Sequence, residues 1–162
     1  MFTVSDSESP VPATSNSNEP MLIGVCSAAI ILALVLGVGL KTGLVIRHIV
    51  QTLPSWVAIV MGIRRSRATG WVALPTFVFW LLLMTLIWLF LLGIAHVVSG
   101  TFTPIEIAMT IVVGLASLVG IALFARLKSN LSAAAAAGLF VLFGALQFVC
   151  FRLSLLPAIA NR

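Results

Sequence analysis

Residues 41–70 read KTGLVIRHIVQTLPSWVAIVMGIRRSRATG, and the way this stretch meets a membrane decides the fold. At 100° per residue from Leu44, its polar and apolar side chains separate onto two faces of a helix, which is typical of a helix lying in the membrane interface. Pro54 is expected to end or bend that helix, and the apolar SWVAIVMG after it is too short to span alone. The apolar face holds Val45, Ile46, Ile49, Val50 and Leu53, and the polar face holds Arg47, His48, Gln51 and Thr52.

The composition of the whole chain indicates an integral membrane protein. Of its 162 residues 61% are hydrophobic and 8% are charged, and the mean hydropathy is +1.22. Globular domains carry about 25% charged residues, so this chain has too few charges to cover a surface exposed to water. Nine Lys and Arg against four Asp and Glu give a net charge of +5. In a membrane protein this excess indicates cytoplasmic loops, and we expect no nucleic-acid partner.

Four apolar segments are long enough to cross a lipid bilayer. We therefore expect an all-α integral membrane protein, a four-transmembrane-helix bundle with an amphipathic interfacial or re-entrant segment after the first helix. The four predicted spans are residues 21–40, 71–98, 104–125 and 132–151. The predicted segments between and around them are a disordered extracytoplasmic tail 1–20, a basic cytoplasmic segment 41–70, an outer loop 99–103, a cytoplasmic loop 126–131 and an outer tail 152–162.

The alternative is a fifth span over residues 44–63, and the distribution of basic residues discriminates between the two topologies. Four spans place seven Lys and Arg on one side against two, whereas five spans place five against four. The positive-inside rule therefore favours four spans with both termini outside, in what we expect to be a bacterial plasma membrane. Anionic lipid headgroups are then expected to bind Arg64, Arg65 and Arg67.

Helices in lipid associate through small residues, because lipid is as apolar as leucine and does not drive them together. Such residues predict packing surfaces within the bundle or between subunits. The small residues predicted to pack are Ala29, Ala33, Gly37, Gly114, Ala134 and Gly138. A bulky stripe of Trp80, Met84 and Trp88 predicts either a lipid-facing or bundle-filling surface, or a docking surface for another membrane subunit, a pigment or a quinone.

Glu106 is the only carboxylate after residue 19, and two hypotheses account for it. In the first, Thr103-Pro104-Ile105-Glu106 is a capping box at the start of a helix. In the second, Glu106 begins a polar track, because ionisable groups inside a bundle are often functional. The residues of this track are Glu106, Thr110, Ser117 and Gln147.

Few residues could hold a metal or a cofactor. His96 could pair with Glu106 across the outer loop, but the four-span topology puts His48 on the opposite side, which rules out a two-histidine site within one chain. We predict no metal and no cofactor. Cys26 and Cys150 both fall toward the outer leaflet in that topology, and whether they form a disulfide stays open.

The sequence contains few residues that could catalyse a reaction. It offers no paired carboxylates and no credible Ser-His-Asp set. We therefore expect no enzyme and no catalytic residues. The first functional hypothesis is a non-catalytic accessory or scaffold subunit of a membrane complex, with other membrane proteins or further copies of itself as partners. The second is an oligomeric transporter or channel that uses the polar track. The third is a haem- or quinone-associated redox subunit.

Overall fold

The structure of the protein is a computed structural model, and it describes residues 18–98 and 100–160. All regular elements in these two ranges are helices, and α1 is π-helical over Ala33–Gly39. The tail predicted over 1–20 lies outside the described residues up to residue 17, and α1 already begins at Glu19. The helices are α1 (Glu19–Thr42), α2 (Val45–Ile63), α3 (Thr69–Leu91), α4 (Pro104–Arg126), α5 (Ala133–Ser154) and the short α6 (Pro157–Ala160).

Helices α1 to α5 are each long and apolar enough to cross a membrane, so the prediction of four such helices was wrong by one. The additional helix is α2, which occupies the stretch predicted to be an amphipathic interfacial segment. Pro54 lies inside this helix and does not end it. Its 19 residues give a length of about 28 Å at 1.5 Å per residue, close to the ~30 Å of a hydrocarbon layer.

The turn between α1 and α2 explains why α2 packs against α1. Two residues, Gly43 and Leu44, connect the helices. Gly43 has a φ of 73°, a left-handed conformation that glycine adopts without steric penalty. The Leu44 backbone N–H donates to the Gly39 carbonyl oxygen at 3.0 Å and closes the turn. So short a connection folds α2 back against α1 as its antiparallel neighbour.

At their other ends α1 and α2 meet through Gly24 and Gly62. A Cβ atom on Gly24 would stand 3.4 Å from the Gly62 Cα atom, and one on Gly62 would stand 2.7 Å from the Pro20 carbonyl oxygen. The backbones therefore touch at a point where a larger residue does not fit. Because the helices touch at both ends, α2 lies along the whole length of α1.

In α2 the polar face points into the bundle and the apolar face points outward. A helix lying on a membrane surface has the opposite arrangement, with its polar face toward water. Polar groups cost less inside a helix bundle, where they find hydrogen-bond partners, than in lipid, whereas apolar side chains are at no disadvantage in lipid. The buried polar side chains of α2 are His48, Gln51, Thr52 and Ser55. Its exposed apolar side chains are Ile46, Ile49, Leu53, Trp56, Val57, Val60 and Ile63.

Helix α3 lies at the centre of the bundle and packs against α4 and α5 as well as α2. Phe77 and Trp80 of α3 are 0% and 2% exposed. At the start of α3 the Trp71 ring meets the Phe124 ring of α4 edge-on, with 4.9 Å between centroids. The five long helices thus alternate in direction.

The bundle has two ends. The arginine face holds the start of α1, the 64–68 turn and the 127–132 connection, and the cavity face holds the Gly43–Leu44 turn, the 92–103 connection and the end of α5. Since α1 begins on one face and α5 ends on the other, the five long helices do not support the prediction that both termini lie on one side.

The small residues predicted to pack fall into two groups. In α1, Ala33 is 5% exposed, Ala29 is half-buried, and Gly37 lies against Met109 of α4. Gly114 of α4 is half-buried, and a Cβ atom there would lie 4.0 Å from the Met84 Cβ atom. By contrast, Ala134 and Gly138 of α5 are exposed, and a Cβ atom at Gly138 would meet nothing within 4 Å.

Candidate binding cavity

A cavity of about 310 Å³ lies in the half of the bundle next to the cavity face. The end of α1, the start of α2, the second half of α3, the first half of α4 and Phe151 of α5 line it, together with Val98 and Phe102 between α3 and α4. Its volume is at the lower end of the ~300–1,000 Å³ range of small-molecule sites. Its apolar lining includes Leu34, Trp80, Leu83, Met84, Ile87, Met109 and Val113.

Polar side chains of the cavity concentrate near the cavity face, because they stand at helix ends. Thr42 is the last residue of α1, Arg47 is the third residue of α2, and Glu106 is the third residue of α4. Trp80 and Val113 lie deeper and are 2% and 0% exposed. The cavity thus combines a polar, charged mouth with an apolar interior, an arrangement suited to an amphiphilic molecule.

Three hydrogen bonds fix the orientation of His48 beside the cavity. Ser154 Oγ donates to the Phe151 carbonyl oxygen at 2.6 Å and therefore accepts from Gln51 Nε2 at 2.9 Å. This orients the Gln51 amide with Oε1 toward His48 Nδ1, at 3.1 Å. An amide oxygen only accepts, so Nδ1 carries a proton, and Nε2 is the His48 nitrogen left for a ligand.

Two hydrogen-bond donors of the cavity lining are buried without a partner. They are Nε of Arg47 and the indole Nε1 of Trp80. A buried polar group without a partner costs about 1–3 kcal/mol, and more if it is charged. A ligand with hydrogen-bond acceptors would remove that cost.

The capping box predicted at Glu106 is confirmed. Glu106 Oε2 accepts from the Thr103 backbone N–H at 2.7 Å and from Thr103 Oγ1 at 2.9 Å, while the Glu106 N–H donates to Thr103 Oγ1 at 3.4 Å. Glu106 also lines the cavity, so the two hypotheses for this residue do not exclude each other. Its carboxylate charge is stabilised by the helix N-terminus that it caps.

No protein family, curated protein or solved structure significantly matches this chain. The geometry of the cavity and of the helix faces therefore supplies the evidence for function.

The structure divides the predicted polar track. Glu106 and Thr110 line the cavity, and Thr110 Oγ1 donates to the Ile107 carbonyl oxygen at 2.7 Å. Ser117 is buried farther along α4, where its hydroxyl donates to the Val113 carbonyl oxygen at 2.8 Å.

Gln147, the fourth predicted member of the track, lies in a different contact. It is 0% exposed, and its Nε2 donates to the Gln51 carbonyl oxygen of α2 at 3.1 Å. The Gln51 carbonyl lies in the helical turn before Pro54, one residue after the Val50 carbonyl that the proline leaves without its helical donor. Gln147 thus joins α5 to this turn of α2. A transport role for the track stays a prediction.

The aromatic stripe predicted on α3 lies largely inside the protein. Trp80 and Met84 are 2% and 5% exposed and line the cavity, and Trp88 is half-buried. A partner subunit cannot reach the first two side chains, so the stripe as a whole is not an outer docking surface. It fills the bundle and shapes the cavity.

The remaining candidate residues lie apart from the cavity lining. His96 is exposed, and its ring lies edge-on to Phe90 with 6.1 Å between centroids. Cys26 and Cys150 are both buried and free, Cys26 toward the arginine face and Cys150 toward the cavity face. Arg64, Arg65 and Arg67 are exposed in and beside the turn between α2 and α3, and lipid headgroup binding there stays a prediction.

Proposed function

We propose that this chain is a non-catalytic membrane protein of the transport class that binds a small amphiphilic molecule in the cavity. The observation that supports this is the cavity itself, which has an apolar interior and a mouth bearing Arg47, His48 and Glu106. A molecule with one polar end and an apolar body matches that distribution of side chains.

The number of basic residues at the two ends supports an orientation in the membrane. Among the described residues, the arginine face bears five Lys and Arg and the cavity face bears three. The positive-inside rule then places the arginine face in the cytoplasm and the mouth of the cavity on the opposite side, in a plasma membrane of bacterial type. The basic residues of the arginine face are Arg64, Arg65, Arg67, Arg126 and Lys128, and those of the cavity face are Lys41, Arg47 and Arg152.

A pair of neighbouring substitutions in α3 tests the binding function. Leu83 lines the cavity, whereas Leu82 is 61% exposed on the outer surface. Leu83→Trp fills the cavity and is expected to abolish binding of a single-chain amphiphile such as decanol, measured as the ligand-dependent rise in unfolding temperature. Leu82→Trp should bind as the wild type does. Equal binding by both variants and the wild type would contradict a site in this cavity.

A second candidate function, the accessory subunit, is supported by the outer face of α5. Ala134, Ala137 and Gly138 are exposed there, and small residues let a partner helix approach closely. A groove of about 590 Å³ runs beside them between α5 and the start of α3, and it includes Trp71, whose indole Nε1 is buried without a hydrogen-bond partner.

Co-purification from native membranes in mild detergent tests this second function. A partner subunit bound at α5 should be recovered in fixed stoichiometry with the wild type and lost from Gly138→Leu. The matched control is Leu142→Phe, a substitution at another exposed position of the same helix. Recovery of the chain alone from both the wild type and the control would exclude a stable accessory role.

A further inference from the structure

Two buried donors of the cavity lining have no hydrogen-bond partner among the described residues. Arg47 Nε and Trp80 Nε1 are both donors, and both are buried without partners. Trp80 is 2% exposed, so its N–H has almost no access to solvent. A ligand with hydrogen-bond acceptors would satisfy these two donors.

The Glu106 carboxylate at the mouth of the cavity does not accept a hydrogen bond from either donor. The Glu106 carboxylate is engaged by Thr103 through the capping box, at 2.7 and 2.9 Å. Its negative charge is also stabilised by the start of α4. The Arg47 guanidinium therefore remains available to a second anion, and the exposed Lys41 adds positive charge at the same end of the bundle.

The volume of the apolar part of the cavity limits the size of the ligand's hydrocarbon part. Its volume of about 310 Å³ is small for a binding site, and its apolar lining includes Leu34, Ile87 and Met109. One hydrocarbon chain suits this space better than the two chains of a phospholipid.

Given the binding function proposed above, we infer that the ligand is a single-chain acid whose anionic head binds Arg47, beside His48, and whose chain lies against Trp80, Met84 and Met109. The planar guanidinium pairs with two carboxylate oxygens at once. With Nδ1 protonated, a neutral His48 presents Nε2 as an acceptor and offers no hydrogen bond to a carboxylate, so Arg47 is the residue that holds the head. This inference deepens the proposed function and depends on it.

Three probes with the same chain and different heads test the inference on the wild-type protein. Decanoate is anionic, decanol is neutral and decyltrimethylammonium is cationic. Apparent Kd values are obtained in non-ionic detergent from the rise in unfolding temperature with probe concentration. Decanoate is expected to bind about tenfold more tightly than decanol, a difference of about 1.4 kcal/mol, because its head pairs with a charged donor. The cation should bind most weakly.

Matched variants assign the preference to one residue. Arg47→Gln removes the charge and should make decanoate bind no better than decanol, while Arg47→Lys should retain the preference. The control is Arg152→Gln, which removes an exposed charge on the cavity face outside the cavity lining and should keep the wild-type ratio.

The outcomes separate this inference from the proposed function. Equal or tighter binding of decanol or of the cation to the wild type would overturn the inference and leave an amphiphile site standing. A preference for decanoate that persists in Arg47→Gln would also overturn it, because the anion would then bind elsewhere. If none of the three probes binds, both the inference and the proposed function fail. Tight binding of an anionic two-chain phospholipid with no effect of decanoate would identify a lipid headgroup as the ligand and overturn the single-chain assignment.

Discussion

Gln147 illustrates how one polar side chain can join two helices inside a membrane bundle. It is 0% exposed, and its Nε2 donates to the carbonyl oxygen of Gln51 in α2, nearly a hundred positions away. That carbonyl lies one residue after the Val50 carbonyl that Pro54 leaves without a helical donor. The bond accounts for a glutamine at membrane depth in α5.

Gln147→Leu is expected to destabilise the protein by about 0.6–1.7 kcal/mol, the range of interhelical hydrogen bonds in membranes. Reversible unfolding in mixed micelles measures this loss. An unchanged free energy of unfolding would show that this bond does not hold α5 against α2.

Residue patterns in the sequence predicted part of the site. The spacing of Thr103 and Glu106 predicted the capping box, and the polar residues of α4 predicted that Glu106 and Thr110 share a polar environment. Arg47 and His48 were assigned to a surface helix. A polar helix face looks the same in sequence whether it meets water or the interior of a bundle, so their place in the cavity could not be read from α2 alone.

At the scale of whole elements, the contact between α1 and α2 depends on glycine. Gly24 and Gly62 allow the two backbones to touch, and a Cβ atom on Gly62 would stand 2.7 Å from the Pro20 carbonyl oxygen. This contact was not predicted, because the glycines are far apart in sequence and the helix that contains Gly62 was expected to lie on the membrane surface.

Gly62→Ala is expected to destabilise the protein by about 1–3 kcal/mol, the usual cost of overpacking, because a backbone oxygen cannot rotate away. Gly138→Ala is the matched control. Its Cβ atom would meet nothing within 4 Å, and alanine favours a helix by up to about 1 kcal/mol over glycine. The control should unfold no more easily than the wild type. If Gly62→Ala were as stable as Gly138→Ala, the close contact would not exist in the protein.

Long apolar runs predicted α1, α3, α4 and α5 from sequence. The fifth helix was missed for a physical reason. Its polar face is buried against groups such as Gln147 and Ser154 of α5, about a hundred residues away, and a helical periodicity holds no information about a partner that distant.

For the molecule as a whole, five long helices of alternating direction put the start of α1 and the end of α5 at opposite ends of the bundle. Basic residues alone favoured four spans, because Lys41 and Arg47 were counted with the arginine cluster at 64–67. The two-residue turn at Gly43 instead places these residues and the cluster at opposite ends of α2.

Cysteine labelling tests this topology in a Cys26→Ala, Cys150→Ala background. Thr42→Cys, just before α2, is expected to react with a membrane-impermeant reagent from the side opposite to Ala68→Cys, just after it. Asn130→Cys lies on the arginine face with Ala68 and serves as the control for that side. Labelling of positions 42 and 68 from the same side would contradict a membrane-crossing α2.

The turn at Gly43–Leu44 has a consequence for how the protein is made. As the chain leaves the ribosome, α2 alone would expose His48, Gln51 and Thr52 to lipid, where polar groups lack partners. With so tight a link, α1 is already beside α2 and shields part of that polar surface. We therefore expect the first two helices to enter the bilayer together as a hairpin, before α5 is synthesised to complete their hydrogen bonds.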